Sequence, residues 1–301
     1  MRVGVSLSSS YMVDDVRDGA AQMVARAAAA DDAGLDVLSI GDRHSVPLPY
    51  YQNTPMLGRL LAEWGERPAG CLFLVPLWHP VTMAEQIGTL ASIARGPFVV
   101  QTGLGGGDEQ FAAMGVSLRD RRRWFEEKVD LVKALLAGET VSSSTFGIEG
   151  AVANPTPPGT VEWWIGTNVD AGIDRAARMG DAWYADVGLT LETAAASLET
   201  YLAACDRHGR TPVRIPLRRD VYVAESQEDA ETAAVPWVER NYRGLPPEAI
   251  VYGSVETVAE EFSRYGELGF TDIIVRQLPV EPDQAVASIM LLGEVRRRLQ
   301  R

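Results

Sequence analysis

The chain has 301 residues, 46% of them hydrophobic and 23% charged, enough apolar material for one large core. Its 28 Lys and Arg stand against 41 Asp and Glu, a formal net charge of −13, which repels phosphate backbones and anionic bilayers and argues against nucleic-acid and membrane partners. No stretch reaches the ~18 apolar residues of a membrane helix, and MRVGVSLSSS has no apolar leader behind a basic start. The expectation is a cytoplasmic protein with Cys71 and Cys205 as reduced thiols.

Strand-like and helix-like segments alternate along the chain. Residues 3–7 are a short β-rich run; residues 14–33 carry apolar side chains at helical spacing and are closed by Gly34. Residues 37–40 (VLSI) form a second strand. The Pro-rich segment 43–55 excludes a regular helix, and 57–64 forms a short one. The continuous apolar run 69–75 (AGCLFLV) reads as a strand covered on both faces, followed by a helix at 81–94. Residues 98–102 are a fourth strand, 103–107 a glycine-rich break, and 119–137 a long charged helix.

At about 138–160 the periodicity is lost in a Ser, Thr, Gly and Pro-rich stretch, read as an insertion with room for a small hairpin. Strand five is 161–165, strand six 182–184 and strand seven 213–223, with helices at 171–179 and 191–208 between and after them. Ser226 and Asp229 mark a helix start, and Pro236 is expected to break that helix. A helix at 256–268, an eighth strand at 272–276 and a closing helix at 282–298 complete the chain. Eight strands alternating with helices over this length predict an α/β fold, a (β/α)8 TIM barrel as one domain over 1–301.

In such a barrel, function gathers on loops after the strands. After strand two, Asp42, Arg43 and His44 suit proton transfer or substrate binding; equally, Asp42 and Arg43 form an ion pair while His44 packs on Tyr50 or Tyr51. After strand three, Trp78 either stacks on a flat cofactor or fills the barrel mouth, and His79 is read as the start of a helix. After strand four, Gly103 and Gly105 allow close backbone approach, with no dinucleotide fingerprint or Walker lysine beside them. After strand five, Gly166, Thr167 and Asn168 lead into a helix whose free N–H groups suit a phosphate; the competing reading is ordinary capping by Asn168 or Asp170. With three histidines and no HxH, HExxH or GxSxG, neither a hydrolytic metal site nor a serine nucleophile is supported, and no metal is expected. A glycosidase pair drawn from Asp42, Asp108, Glu109 and Asp186 survives as a weaker alternative.

The segments GLDVLSIGDRH, LFLVPLWHPVTMAEQIGTLASIARG, QTGLGGGDEQFAAMGV, WWIGTNVDAGIDRAARMGDAW and GSVETVAEEFSRYGELGFTDIIV, in this order, resemble the bacterial-luciferase-like monooxygenase family. The resemblance implies an oxidoreductase using reduced FMN or coenzyme F420 at the barrel mouth. The phosphate would lie at Gly166, Thr167 and Asn168, and the ring near Asp42, Leu74, Val75, Thr102 and Gly103. It also implies a separate flavin reductase, a homodimer, and a non-proline cis peptide within 72–75, while the apolar and aromatic side chains of Tyr50, Tyr51, Met56 and Trp78 suggest a pocket of mixed character for a small organic substrate. Relatives often place a catalytic histidine directly after the strand-two carboxylate. Here Arg43 stands there and His44 follows, so an arginine that cannot give up its proton takes the usual place. That departure keeps open a non-catalytic flavin-binding accessory subunit.

Overall fold

The computed structural model describes residues 1–300. Eight parallel strands close into a barrel: β1 (Arg2–Leu7), β2 (Leu38–Ile40), β3 (Ala69–Leu74), β4 (Phe98–Gly103), β7 (Val161–Thr167), β8 (Ala182–Ala185), β9 (Pro216–Ala224) and β11 (Asp272–Gln277). The ring closes where Ala185 of β8 pairs with Leu217 of β9. The expected barrel is therefore present, with one strand more than the sequence pattern contained. β10 (Ile250–Ser254) pairs with the far end of β9, Ile250 opposite Asp220, and lies outside the ring. Its IVYGS run directly precedes a helix, so a pattern scan absorbs it into that helix's approach.

The helices α1 (Val16–Asp32), α2 (Asn53–Leu60), α3 (Pro80–Ile93), α5 (Arg121–Leu136), α6 (Asp170–Met179), α7 (Leu191–Arg207), α9 (Val255–Leu268) and α10 (Pro282–Arg298) match expected helices within a few residues, with α2 displaced toward the N-terminus. Gly34 closes α1 at φ +73°, a conformation open to glycine at no steric cost. The short α4 (Asp108–Ala113) was not anticipated. α8 (Gln227–Glu239) starts on a Ser226 cap, its Oγ accepting from the Asp229 N–H, but continues through Pro236 instead of ending there. A proline removes one N–H and the helix survives because packing, through Ala230 and Ala234, outweighs that loss. The insertion holds the small hairpin, β5 (Val141–Ser143) against β6 (Ile148–Ala151). The one cis peptide among the described residues is Asn154–Pro155; residues 72–75 contain none.

Strand side chains alternate between the helix-facing shell and the barrel interior. Val37, Val99, Trp164, Ala182, Tyr184 and Ile274, drawn from around the ring, pack together as the interior plug. Gly4 and Gly70 let neighbouring strands close up around this layer: a Cβ on Gly4 would lie 2.7 Å from the Val37 Cβ, and one on Gly70 would lie 1.8 Å from the Val99 carbonyl oxygen. Toward the mouth the inward positions turn polar: Arg218 stands opposite Ile274 and Gln101 opposite Trp164, and Ser6 and Arg276 follow two residues beyond Gly4 and Ile274. The apolar floor and polar upper layer make the C-terminal mouth a chemically distinct chamber.

Candidate functional site

Two adjoining cavities open at that mouth, one of about 440 Å³ and one of about 380 Å³. Leu72 and Arg218 line both. A wider groove of about 860 Å³ lies between α8 and α10, but Asp32, Glu225, Asp229, Glu281 and Glu294 make it repulsive to anions.

The 440 Å³ cavity gathers Thr102, Gly103, Gly105, Gly166, Thr167 and Asn168 as expected from the sequence. The end of α6 settles the capping question. Its N-cap is Val169, and no side chain caps it. The first-turn N–H groups of Asp170 and Ala171 have no intrahelical partner, and Val169, Ala171 and Gly172 line the cavity. Thr167 packs against this turn, where a Cβ on Gly172 would lie 1.9 Å from its Oγ1. A Cβ on Gly166 would come within 3.0 Å of the Thr102 carbonyl oxygen. Both glycines therefore keep the cradle open.

Pattern reasoning missed the cations here. Arg121 and Arg122, at the start of α5, and Arg175 line the same cavity. Arg175 is committed to Glu126 at 2.7 Å, whereas Arg122 has no ion-pair partner among the described residues. The RDRRRWF run held the signal, but only the fold shows that the α5 N-terminus meets that of α6.

The second group centres on Asp42, whose side chain is fully buried. One oxygen accepts from the Leu74 N–H at 2.7 Å and from Trp78 Nε1 at 2.8 Å. The other lies 3.1 Å from His44 Nε2, close but out of line for a hydrogen bond. His44 packs edge-on to Trp78 at 5.6 Å, and its backbone N–H donates to Gln110 Oε1. The partner of Asp42 is thus His44, not Arg43, and His44 packs on Trp78, not on Tyr50 or Tyr51. Arg43 is exposed at the rim of the smaller cavity, beside Tyr50.

Several expected contact residues lie elsewhere. The Tyr51 hydroxyl donates to the Val16 carbonyl and its ring sits over Gly19 of α1. Met56 belongs to the core under α2, and Val75 is fully buried. Trp78 is a strut for Asp42, braced by Phe73 at 5.1 Å, and lines neither cavity. Leu74 abuts the glycine loop: its Cβ is 3.6 Å from where a Gly105 Cβ would stand. His79 occupies the N-cap position of α3 without a side-chain cap bond.

Lys128 holds the turn after β3 from outside. Its Nζ donates to the carbonyls of Pro76 and Trp78, both at 2.8 Å. Burial pushes this ammonium down to about 8. An unfolded chain keeps the same proton up to about 10.4, so between those values the unfolded state binds more protons and this group's contribution to stability rises with pH. Urea unfolding from about pH 7 to 9.5 should show wild type gaining stability relative to Lys128→Gln across that window. Parallel pH profiles would rule out this role for Lys128.

Among the described residues no cluster of His, Cys, Asp and Glu suits a metal ion, and no helix is long and apolar enough to cross a membrane.

These features have counterparts in known proteins. Residues 1–268 match the sequence profile of the luciferase-like monooxygenases. Limonene 1,2-monooxygenase of Rhodococcus erythropolis is 27% identical over 136 residues, covering 44% of this chain and 35% of that protein, so the match spans about a third of the curated relative's length. An F420-dependent secondary alcohol dehydrogenase, solved with an F420–acetone adduct, superposes with a TM-score of 0.80 at 16% identity, covering 99% of this chain and 98% of that one. The oxygenating constituent of 3,6-diketocamphane monooxygenase from Pseudomonas putida, solved with FMN, also gives 0.80 at 16% identity, covering 98% and 97%. With the profile matched over most of its length and the barrel shared end to end, this chain belongs to the luciferase-like monooxygenase family.

Proposed function

We propose that the protein is an oxidoreductase that binds reduced FMN or coenzyme F420 in the 440 Å³ cavity and acts on a small organic substrate in the adjoining one. The observation that carries this reading is the cavity's polarity along its length. One end offers the uncapped α6 N-terminus with Thr167, Asn168 and the guanidiniums of Arg121 and Arg122, a donor set for a phosphate. The other offers Leu72, Thr102 and Gly103, an apolar wall and open backbone suited to a flat ring. The residues present therefore fit the group.

When bound, the cofactor supplies hydride or oxygen chemistry, and the protein supplies position, dryness and charge. Gly103 and Gly105 let the ring approach the β4 backbone. Asp42 fixes the β3 turn that flanks it, and His44, 3.1 Å from its other oxygen, is a group able to move a proton. If FMN is the cofactor, it arrives reduced from a separate reductase. Family membership supports a homodimer built through the surfaces of α2 and α3.

Titrating the apo protein with FMN, reduced FMN and F420, read by absorbance and fluorescence, tests the assignment. Saturable binding of one of them in the micromolar range or tighter is expected. No binding of any of the three would refute it.

A further inference from the structure

The smaller cavity has a positive floor that cofactor binding does not account for. Arg218 on β9, Arg276 on β11 and Arg243 after α8 converge around one buried carboxylate, Asp220. Arg243 Nη1 lies 2.5 Å from one Asp220 oxygen, while Arg218 Nε is 3.8 Å from the other, too far for a hydrogen bond. Arg276 reaches only the Ser8 hydroxyl, at 3.3 Å. The Nε groups of Arg218 and Arg276 are both buried without a hydrogen-bond partner, as is the hydroxyl of Ser9.

Arg43 at the rim adds a fourth cation, and of the two oxygens of Asp42, which also lines the cavity, one is taken up by the Leu74 N–H and Trp78 while the other faces His44 at 3.1 Å. Cations thus exceed carboxylates around the chamber in a chain whose net charge is −13. Burial, then the like charges of Arg218 and Arg243, push Arg276 below the usual arginine range. Such a cluster is costly to keep in a fold without an anion to neutralise it. The backbone adds to that cost. Asn241 and Arg243 both sit at φ 55°, a left-handed conformation that non-glycine residues rarely adopt, and the bend lays Arg243 onto Asp220.

We infer that this chamber is an organic-acid subsite: the substrate carries a carboxylate that is held by Arg276, Arg218 and Arg243, with Ser8 and Ser9 as further donors. A guanidinium fork matches a carboxylate in geometry as well as charge. Arg276 and Arg243 line only this cavity, not the larger one, so the anion they receive is not the cofactor's phosphate. Leu72 and Arg218 line both, so a ligand anchored here extends its uncharged part toward the ring site.

The word "substrate" rests on the cofactor reading, but anion binding is measurable without it. Calorimetry with benzoate and hexanoate against benzamide and hexanamide is expected to show each acid binding at least about tenfold more tightly than its amide. Arg276→Gln should weaken the acids by about tenfold or more while leaving the amides unchanged, and Arg276→Lys should recover part of the loss. Melting curves check that both variants fold, and repetition with Arg218→Gln keeps the test alive if one does not. In cofactor-loaded protein the acids should bind alongside, without displacing the cofactor. Equal affinity for acid and amide, insensitivity to both substitutions, or competition with the cofactor would each overturn the subsite. Acid binding in a protein that takes no flavin would leave the subsite standing and remove the redox reading instead.

Discussion

Asp42→Ala is expected to lower the unfolding free energy by about 3 kcal/mol and flavin affinity by about tenfold or more. The carboxylate is fully buried and accepts from two groups, the Leu74 N–H and the Trp78 indole. Hydrogen bonds to a charged acceptor contribute about 1.5–3 kcal/mol each, and a buried donor left alone costs its full desolvation. The loss is not confined to stability. Leu74 abuts the Gly105 loop, so a relaxed β3 turn moves the wall against which the ring is proposed to lie. Asp42→Asn separates the scaffold from the charge. An amide oxygen still accepts from both donors, so most of the stability should remain, while the negative charge facing His44 is gone. Urea unfolding and flavin titration of both variants read these effects independently. If alanine is tolerated within about 0.5 kcal/mol, the strut does not exist.

Gly166→Asp is expected to weaken cofactor binding by about a hundredfold. A carboxylate placed a few ångströms from a phosphate costs about 4 kcal/mol at 4 Å and an effective dielectric near 20, and solvent and salt reduce that. A smaller steric cost adds to it, because the Cβ alone comes within 3.0 Å of the Thr102 carbonyl oxygen, across the β4–β7 pairing. Gly166→Ala carries the steric cost without the charge, so the ratio between the two variants isolates the electrostatic part. The same ratio measured with riboflavin, which has no phosphate, should collapse toward one. A ratio unchanged with riboflavin would place the phosphate somewhere other than the α6 cradle.

The candidate site was legible in parts that differ in kind. The Gly166-Thr167-Asn168 cradle is local: strand end, small residue, donors and helix start are consecutive, so the chain order displays the geometry. The arginine cluster is the opposite case. Arg218, Arg243 and Arg276 are separated by helices and strands, and each alone reads as an ordinary surface cation. Their parity offered a clue, since Arg218 and Arg276 share the inward period-two register with Ile274, but that register is visible only once the strands are paired. The substrate-wall expectations for Tyr51, Met56 and Trp78 had no such basis. An aromatic or Met near a strand end packs wherever a partner is closest, and here the partners are α1, the α2 core and Asp42.

What the amino-acid order determined unaided is the alternation of eight barrel strands with helices, the irregular insertion and the acidic surface. These depend on periodicity and composition, which are properties of neighbouring residues. Tertiary structure alone decided that His44 rather than Arg43 faces Asp42, that β10 stands outside the ring, and that cations from distant segments share one chamber. Those facts arise from barrel closure and strand register, which bring residues tens to hundreds of positions apart within a few ångströms, and no local pattern encodes that distance.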